Sequence, residues 1–171
     1  GDIIVCLDES ASTKGENAEW GKALALAVQD ICAHEGRKFA LIHFSGENEL
    51  RTDLFLPGQY TADDLLSAAE HFFCGGTDFE APIREALRLI DEEMFENADI
   101  LFITDGQCSI SDEMAEQLQS AIQDARCSVI GLLLDANYPG MEFSLKKFCE
   151  KILRISEIDK GGVEQIILAS R

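Results

Sequence analysis

Four short apolar runs constrain the fold of this chain more than any other feature. Residues 3–7, 39–44, 98–104 and 128–134 are rich in Ile, Val, Leu, Phe and Ala, with little regular alternation. Runs of that length, apolar on successive residues, read as strands covered on both faces. Between them lie stretches with helical spacing. Trp20, Leu24, Ala27, Val28 and Ile31 make one stripe on a helix over 18–35, which Gly36 stops. Phe79, Ile83, Ala86, Leu87 and Ile90 make a second over 79–93, with Pro82 near its first turn. Ser111 caps a third, running to Ala125, with Asp112 and Glu113 at its positive end. Strands that alternate with helices predict an α/β fold, with a mostly parallel sheet and helices on both faces.

The remaining segments fill in that plan. Ser45-Gly46-Glu47-Asn48 is a turn, and residues 49–56 alternate Leu50, Thr52, Leu54 and Leu56 with Arg51 and Asp53. So close behind the second strand, with no room for a crossover helix, this strand pairs antiparallel. Its charges suit an edge. Thr61 caps a helix to residue 73 that turns Leu65, Leu66, Ala69, Phe72 and Phe73 inward. A turn at Asn137-Tyr138-Pro139-Gly140, a helix over 143–151 and a strand over 152–155 complete six strands. The spacing leaves the apolar run 163–168 open between helix and strand. The expectation is one domain, residues 1–171, cut from a longer protein.

Charge narrows the partners. Fourteen Lys and Arg face thirty-two Asp and Glu, a formal net charge of −18. A phosphate backbone or an anionic membrane surface needs clustered cations, so nucleic acid and membrane are excluded as partners. A basic protein surface or a cation is not. No run approaches the ~20 apolar residues of a membrane-spanning helix. The six cysteines form no C-x-x-C pair and no zinc-spaced cluster, so reduced thiols and a cytoplasmic location are expected.

Hard oxygen donors collect where the apolar runs end. Asp8-Glu9-Ser10-Ala11-Ser12 follows the first strand, Thr77 follows Gly75-Gly76, and Asp105-Gly106 follows the strand ending at residue 104. Hydroxyls and carboxylates suit Mg²⁺ or Mn²⁺. In an open parallel sheet, ligands bind outside the carboxyl ends of the strands, where strand order reverses. Asp8, Ser10, Ser12, Thr77 and Asp105 are therefore the expected ligands of one divalent cation. Thr77 taken alone is equally a helix cap, and Asp105-Gly106 alone equally a turn. His34, His43 and His71 are expected to be structural.

In this order and on these elements, the residues closely resemble the von Willebrand factor A domain family. Its metal ion-dependent adhesion site is D-x-S-x-S, then a Thr, then an Asp after a central strand. The matches are Asp8, Ser10, Ser12, Thr77 in Gly75-Gly76-Thr77-Asp78, and Asp105 in Ile103-Thr104-Asp105-Gly106. The likeness runs from Asp2 to about Ile155. It is nearest the bacterial cytosolic group typified by ViaA and CoxE-like proteins, which work with MoxR-type AAA+ ATPases, and residues 72–79 carry much of that nearness. The resemblance implies a three-layer Rossmann-like fold and no enzyme activity. It also implies a Mg²⁺ site that captures an Asp or Glu of a partner protein, with a MoxR-type ATPase as the candidate partner. Ala11 departs from the family's usual Gly, and a positive φ there would strain the loop. Glu9 is expected to point away from the metal. The alternative is a Mg²⁺-dependent phosphohydrolase. Against it, position 10 is Ser rather than the second acid such enzymes carry, and no P-loop or G-x-G-x-x-G is present.

Overall fold

The computed structural model describes residues 1–134 and 143–157, together with Gly162 and Ile166. The elements follow one another as β1 (Ile3–Asp8), α1 (Glu16–His34), β2 (Phe39–Phe44), β3 (Leu50–Phe55), α2 (Ala62–Glu70), α3 (Glu80–Asp91), β4 (Asp99–Thr104), α4 (Asp112–Ala125), β5 (Val129–Leu133), α5 (Phe143–Lys146) and β6 (Lys151–Arg154). Single turns of 3₁₀ helix occupy Ala11–Thr13 and Ile155–Glu157.

The six strands lie in the order β3-β2-β1-β4-β5-β6. All neighbours are parallel except β2 and β3, which pair antiparallel with Phe44 opposite Leu50. The short turn after Phe44 leaves no other pairing open. β1 sits between β2 and β4, with Leu7 facing His43 on one side and Ile103 on the other. Strand order reverses there, and a crevice opens at the carboxyl ends of β1 and β4.

Successive strand residues point to opposite faces, which builds two cores from one sheet. Ile3, Val5 and Leu7 pack with Leu24, Ala25 and Val28 of α1 and Ala68 of α2. Ile4 and Cys6 pack on the other face with Ile83, Ala86 and Leu89 of α3 and Leu118 and Ile122 of α4. Gly21 lets α1 lie close on the sheet, because a Cβ there would stand 3.0 Å from a methyl of Leu7. Phe102, fully buried, is met by Phe44, Phe79 and Phe148 at ring-centroid distances of 5.1, 5.0 and 5.4 Å.

The structure corrects some local expectations. α2 ends at Glu70, His71 is extended, and residues 72–73 lie outside any helix. Leu66 is exposed, and Ala68 is the residue α2 buries. The helix expected over 143–151 is the single turn α5. Phe143, expected at its start, is exposed. Ala11 lies in a 3₁₀ turn and is not among the residues with positive φ, so the strain anticipated there is absent. The expected turn at 137–140 lies outside the described residues. So does most of the run 163–168, of which Ile166 is helical and buried against the α1 face.

Candidate metal centre

The candidate centre grows from the carboxyl ends of β1 and β4. Register places Asp8 beside Thr104, and the Thr104 hydroxyl donates to Asp8 Oδ2 at 2.6 Å. The Ser10 backbone N–H donates to Asp8 Oδ1 at 2.9 Å, folding the loop back on its own strand. That fold, with the 3₁₀ turn behind it, brings the hydroxyl oxygens of Ser10 and Ser12 to 3.0 Å. Thr13, buried beneath them, donates to the Ser10 carbonyl at 2.8 Å and closes the turn.

The loop carrying Thr77 is tied to this one from both sides. Ser10 and Gly75 form an isolated parallel bridge. Ala11 N–H donates to the Gly75 carbonyl at 2.9 Å, and Cys74 N–H donates to the Glu9 carbonyl at 2.9 Å. Cys74 takes φ 60° to make the approach, a conformation that costs a non-glycine residue. Ser45, just past β2, does the rest. Its hydroxyl accepts from Gly75 N–H at 2.9 Å and donates to the Gly76 carbonyl at 2.8 Å, while its own carbonyl accepts from Asp78 N–H at 2.8 Å. Thr77 is thus fixed by bonds on the residues either side of it. Its carbonyl faces the Cys108 thiol at 3.6 Å, so the loop also meets the segment after β4.

Asp105 follows β4 and is fully buried. Its Oδ1 accepts from Gln107 N–H at 3.0 Å. Its Oδ2 is buried without a partner among the described residues. An unpaired buried carboxylate oxygen is costly and calls for an explanation. Burial pushes the Asp8 carboxyl above its ordinary range, and the nearby negative charge of Asp105 pushes it further, against hydrogen bonds from Ser10 and Thr104. Two crowded carboxylates, one orphan oxygen and a pair of facing hydroxyls form a donor set that a hard divalent cation fits. Asp8, Ser10 and Ser12 are brought together by direct bonds. Asp105 joins them through its charge on Asp8, and Thr77 joins through the loops that hold it.

A second cluster was not anticipated from the sequence. Glu9, His43 and His71 offer ligand atoms that all lie within 4.8 Å of one another, close enough to hold one metal ion. Glu9 is buried, and its carboxylate meets Lys22 of α1, His43 and His71. His43 Nδ1 is in close contact with Glu9 Oε1, its Nε2 lies 2.8 Å from Asp53 Oδ2, and His71 Nδ1 lies 2.9 Å from Glu9 Oε2. The ammonium of Lys22 sits against the same group, 3.0 Å from Glu9 Oε1 and 3.3 Å from His43 Nδ1. Burial alone would raise the Glu9 carboxyl, but His43 and Lys22 outweigh it and hold it below its ordinary range. Burial also lowers the Lys22 ammonium, against the pull of Glu9. Of the three histidines expected to be structural, His43 and His71 pack into this network, and His34 lies exposed beside Asp30. The only sequence signal for the network was a Glu beside the strand-ending Asp.

The fold and this site define a class: a doubly wound α/β domain whose oxygen donors gather at the switch point beside its first strand. Within that class, the chain belongs to the von Willebrand factor type A domain family, whose model matches residues 3–107. An uncharacterised protein of Methanocaldococcus jannaschii is 31% identical over 166 residues, 97% of this chain and 40% of that protein. The regulatory protein ViaA of Edwardsiella ictaluri is 28% identical over 136 residues, 74% of this chain and 26% of that protein. The chain therefore spans well under half of either relative. Among solved structures, proximal thread matrix protein 1 of the mussel byssus, described with a zinc-occupied MIDAS motif, superposes with a TM-score of 0.68 at 16% identity, over 99% of this chain and 48% of that one. Domains of this family generally serve protein interaction. No helix among the described residues is long and apolar enough to cross a membrane.

Proposed function

We propose that this domain is a metal-dependent recognition module and not an enzyme. Asp8, Ser10, Ser12, Thr77 and Asp105 would hold one Mg²⁺, or Mn²⁺ in its place. The observation that carries the reading is the orphan Oδ2 of Asp105, buried beside a second carboxylate and a pair of facing hydroxyls. A bound dication would supply positive charge there and an electrophilic position for an incoming acid. The chain's own residues do the rest. Thr104 and Ser10 N–H orient Asp8, Gln107 N–H orients Asp105, and Ser45 sets the Thr77 loop. An open groove of about 540 Å³ beside Thr77, lined by Asp78, Cys108, Ser111 and Met114, gives a partner segment room to lie. The captured group is a partner's Asp or Glu, and the resemblance to the ViaA group favours a MoxR-type AAA+ ATPase as that partner. The six cysteines are all free, which fits a reducing, cytoplasmic setting. The phosphohydrolase alternative has no second acid at position 10 to support it.

The test has two arms. Mg²⁺ should raise the melting temperature over that in chelator, by the equivalent of about 2.7 kcal/mol when present at a hundred times its dissociation constant. Asp105→Asn should lose that gain, while being more stable than the parent in chelator because a like-charge clash is relieved. Asp8→Ala should abolish Mg²⁺-dependent capture of the ATPase without unfolding the domain. Equal ATPase affinity in chelator and in Mg²⁺ would sink the reading, as would Mg²⁺-dependent turnover of a generic phosphate ester.

A further inference from the structure

The cluster of Glu9, His43, His71 and Lys22 lies outside the oxygen cradle, yet both halves of the cradle hang from it. Glu9 stands between Asp8 and Ser10. Lys22 comes from α1, and its ammonium is the centre of the cluster. Besides Glu9, it donates to the carbonyls of Ala68 at 2.9 Å and His71 at 2.8 Å. Those carbonyls belong to the end of α2 and the start of the segment that runs on to Gly75, Gly76 and Thr77. His71 returns a second bond to Glu9 from that segment, and Cys74 N–H a third, onto the Glu9 carbonyl. One partly buried cation therefore pulls on two chain segments about sixty residues apart, each carrying donors of the cradle.

We infer that Lys22 is the positioning residue of the metal cradle. By bonding Glu9 together with the carbonyls of Ala68 and His71, it clamps the Asp8–Ser12 loop to the loop that carries Thr77. It thereby sets how tightly the cation is held without touching it. The inference rests on the oxygen cradle being the cation site. It also assigns the Glu9–His43–His71 group its occupant. That group has ligand spacing for a metal, but a metal could enter only by expelling an ammonium that donates to Glu9 and to the carbonyls of Ala68 and His71. Tethered by its own helix, the lysine supplies the charge that Glu9 needs when buried.

The experiment compares Lys22→Met, His71→Gln and Leu89→Ala in the full chain. Leu89 is buried on the opposite face, near the far end of α3, and serves as a destabilised control that leaves the cluster intact. Mn²⁺ affinity is read by calorimetry. Amide hydrogen exchange at Ala11 and Cys74, whose N–H groups bridge the two loops, is read without metal. Lys22→Met should bind Mn²⁺ about 10–100-fold more weakly, the usual effect of losing an outer-shell support. It should also exchange at both amides faster than Leu89→Ala does. His71→Gln keeps the ammonium and should show a smaller change of the same sign, and it serves as the readout if Lys22→Met does not fold. Parent-like Mn²⁺ affinity and parent-like exchange in both cluster variants overturn the inference. A parent chain that binds no Mn²⁺ sinks the cradle reading instead, and the exchange measurement then still decides whether Lys22 holds the loops. Stoichiometric Zn²⁺ uptake that His71→Gln abolishes and Asp105→Asn leaves intact also overturns it, because the ion would have displaced the lysine.

Discussion

At the scale of single residues, burial decides which groups react. Cys108, half-covered beside Thr77, has its thiol pushed up by burial and by the nearby charges of Asp78 and Asp8. Burial pushes Cys32 and Cys127 up to about 11 and raises Cys6 and Cys149 as well. Cys74 alone is exposed. Iodoacetamide at neutral pH should therefore label Cys74 first, with peptide mass mapping as the check; first labelling at Cys108 would contradict this. Glu85 gives a pH signature. Hydrogen bonds from Arg88 hold its carboxyl below the ordinary range, with Thr52 donating to it at 2.9 Å. A depressed folded-state value means its stabilisation is present at neutral pH and is lost as pH falls through that value. Glu85→Gln should be less stable than the parent at pH 7, and the two melting temperatures should converge in acid.

At the scale of elements, α4 is built from its two ends. Ser111 accepts from Met114 N–H at 3.1 Å, and Arg126 closes the helix in the left-handed region with φ 53° and ψ 38°. Ser111→Ala should cost about 1 kcal/mol. Arg126→Gly should gain up to about 1 kcal/mol, since glycine adopts that conformation without a Cβ clash. Urea titrations that moved both variants the same way would refute this pair. The elements also mark how far the sequence could be read. β2 and the bounds of α4 were legible because an apolar run and a serine cap are local signals. The inward face of α2 was not, because Leu65 and Leu66 are adjacent and only tertiary packing decides which side Ala68 takes. The candidate oxygen donors were legible because Asp8 ends β1 with Ser10 and Ser12 just behind it, Asp105 follows β4 and Thr77 follows paired glycines. The roles of Ser45 and Lys22 could not, since each acts through partners 13 to 49 residues away that only the folded sheet brings near.

At the scale of the whole molecule, one aromatic group holds the α3–α4 face together. Phe102 stands at its centre among Phe44, Phe79 and Phe148, which come from β2, the start of α3 and the segment before β6. Phe102→Ala should cost about 3–5 kcal/mol. It should lower the denaturant midpoint far more than any surface change does.

The position of β1 in the sheet has a further consequence for how the protein is made. Within this domain the first strand in chain order is an inner one, and its second neighbour, β4, begins only at Asp99. Until synthesis has passed β4, a row of unpaired backbone groups on Ile3–Asp8 has no native cover. Nascent chains halted before residue 98 should thus stick to chaperones or to one another, and chains that extend past β5 should not. An ion offered during synthesis would be taken up late, after the inner strand has been sealed on both sides.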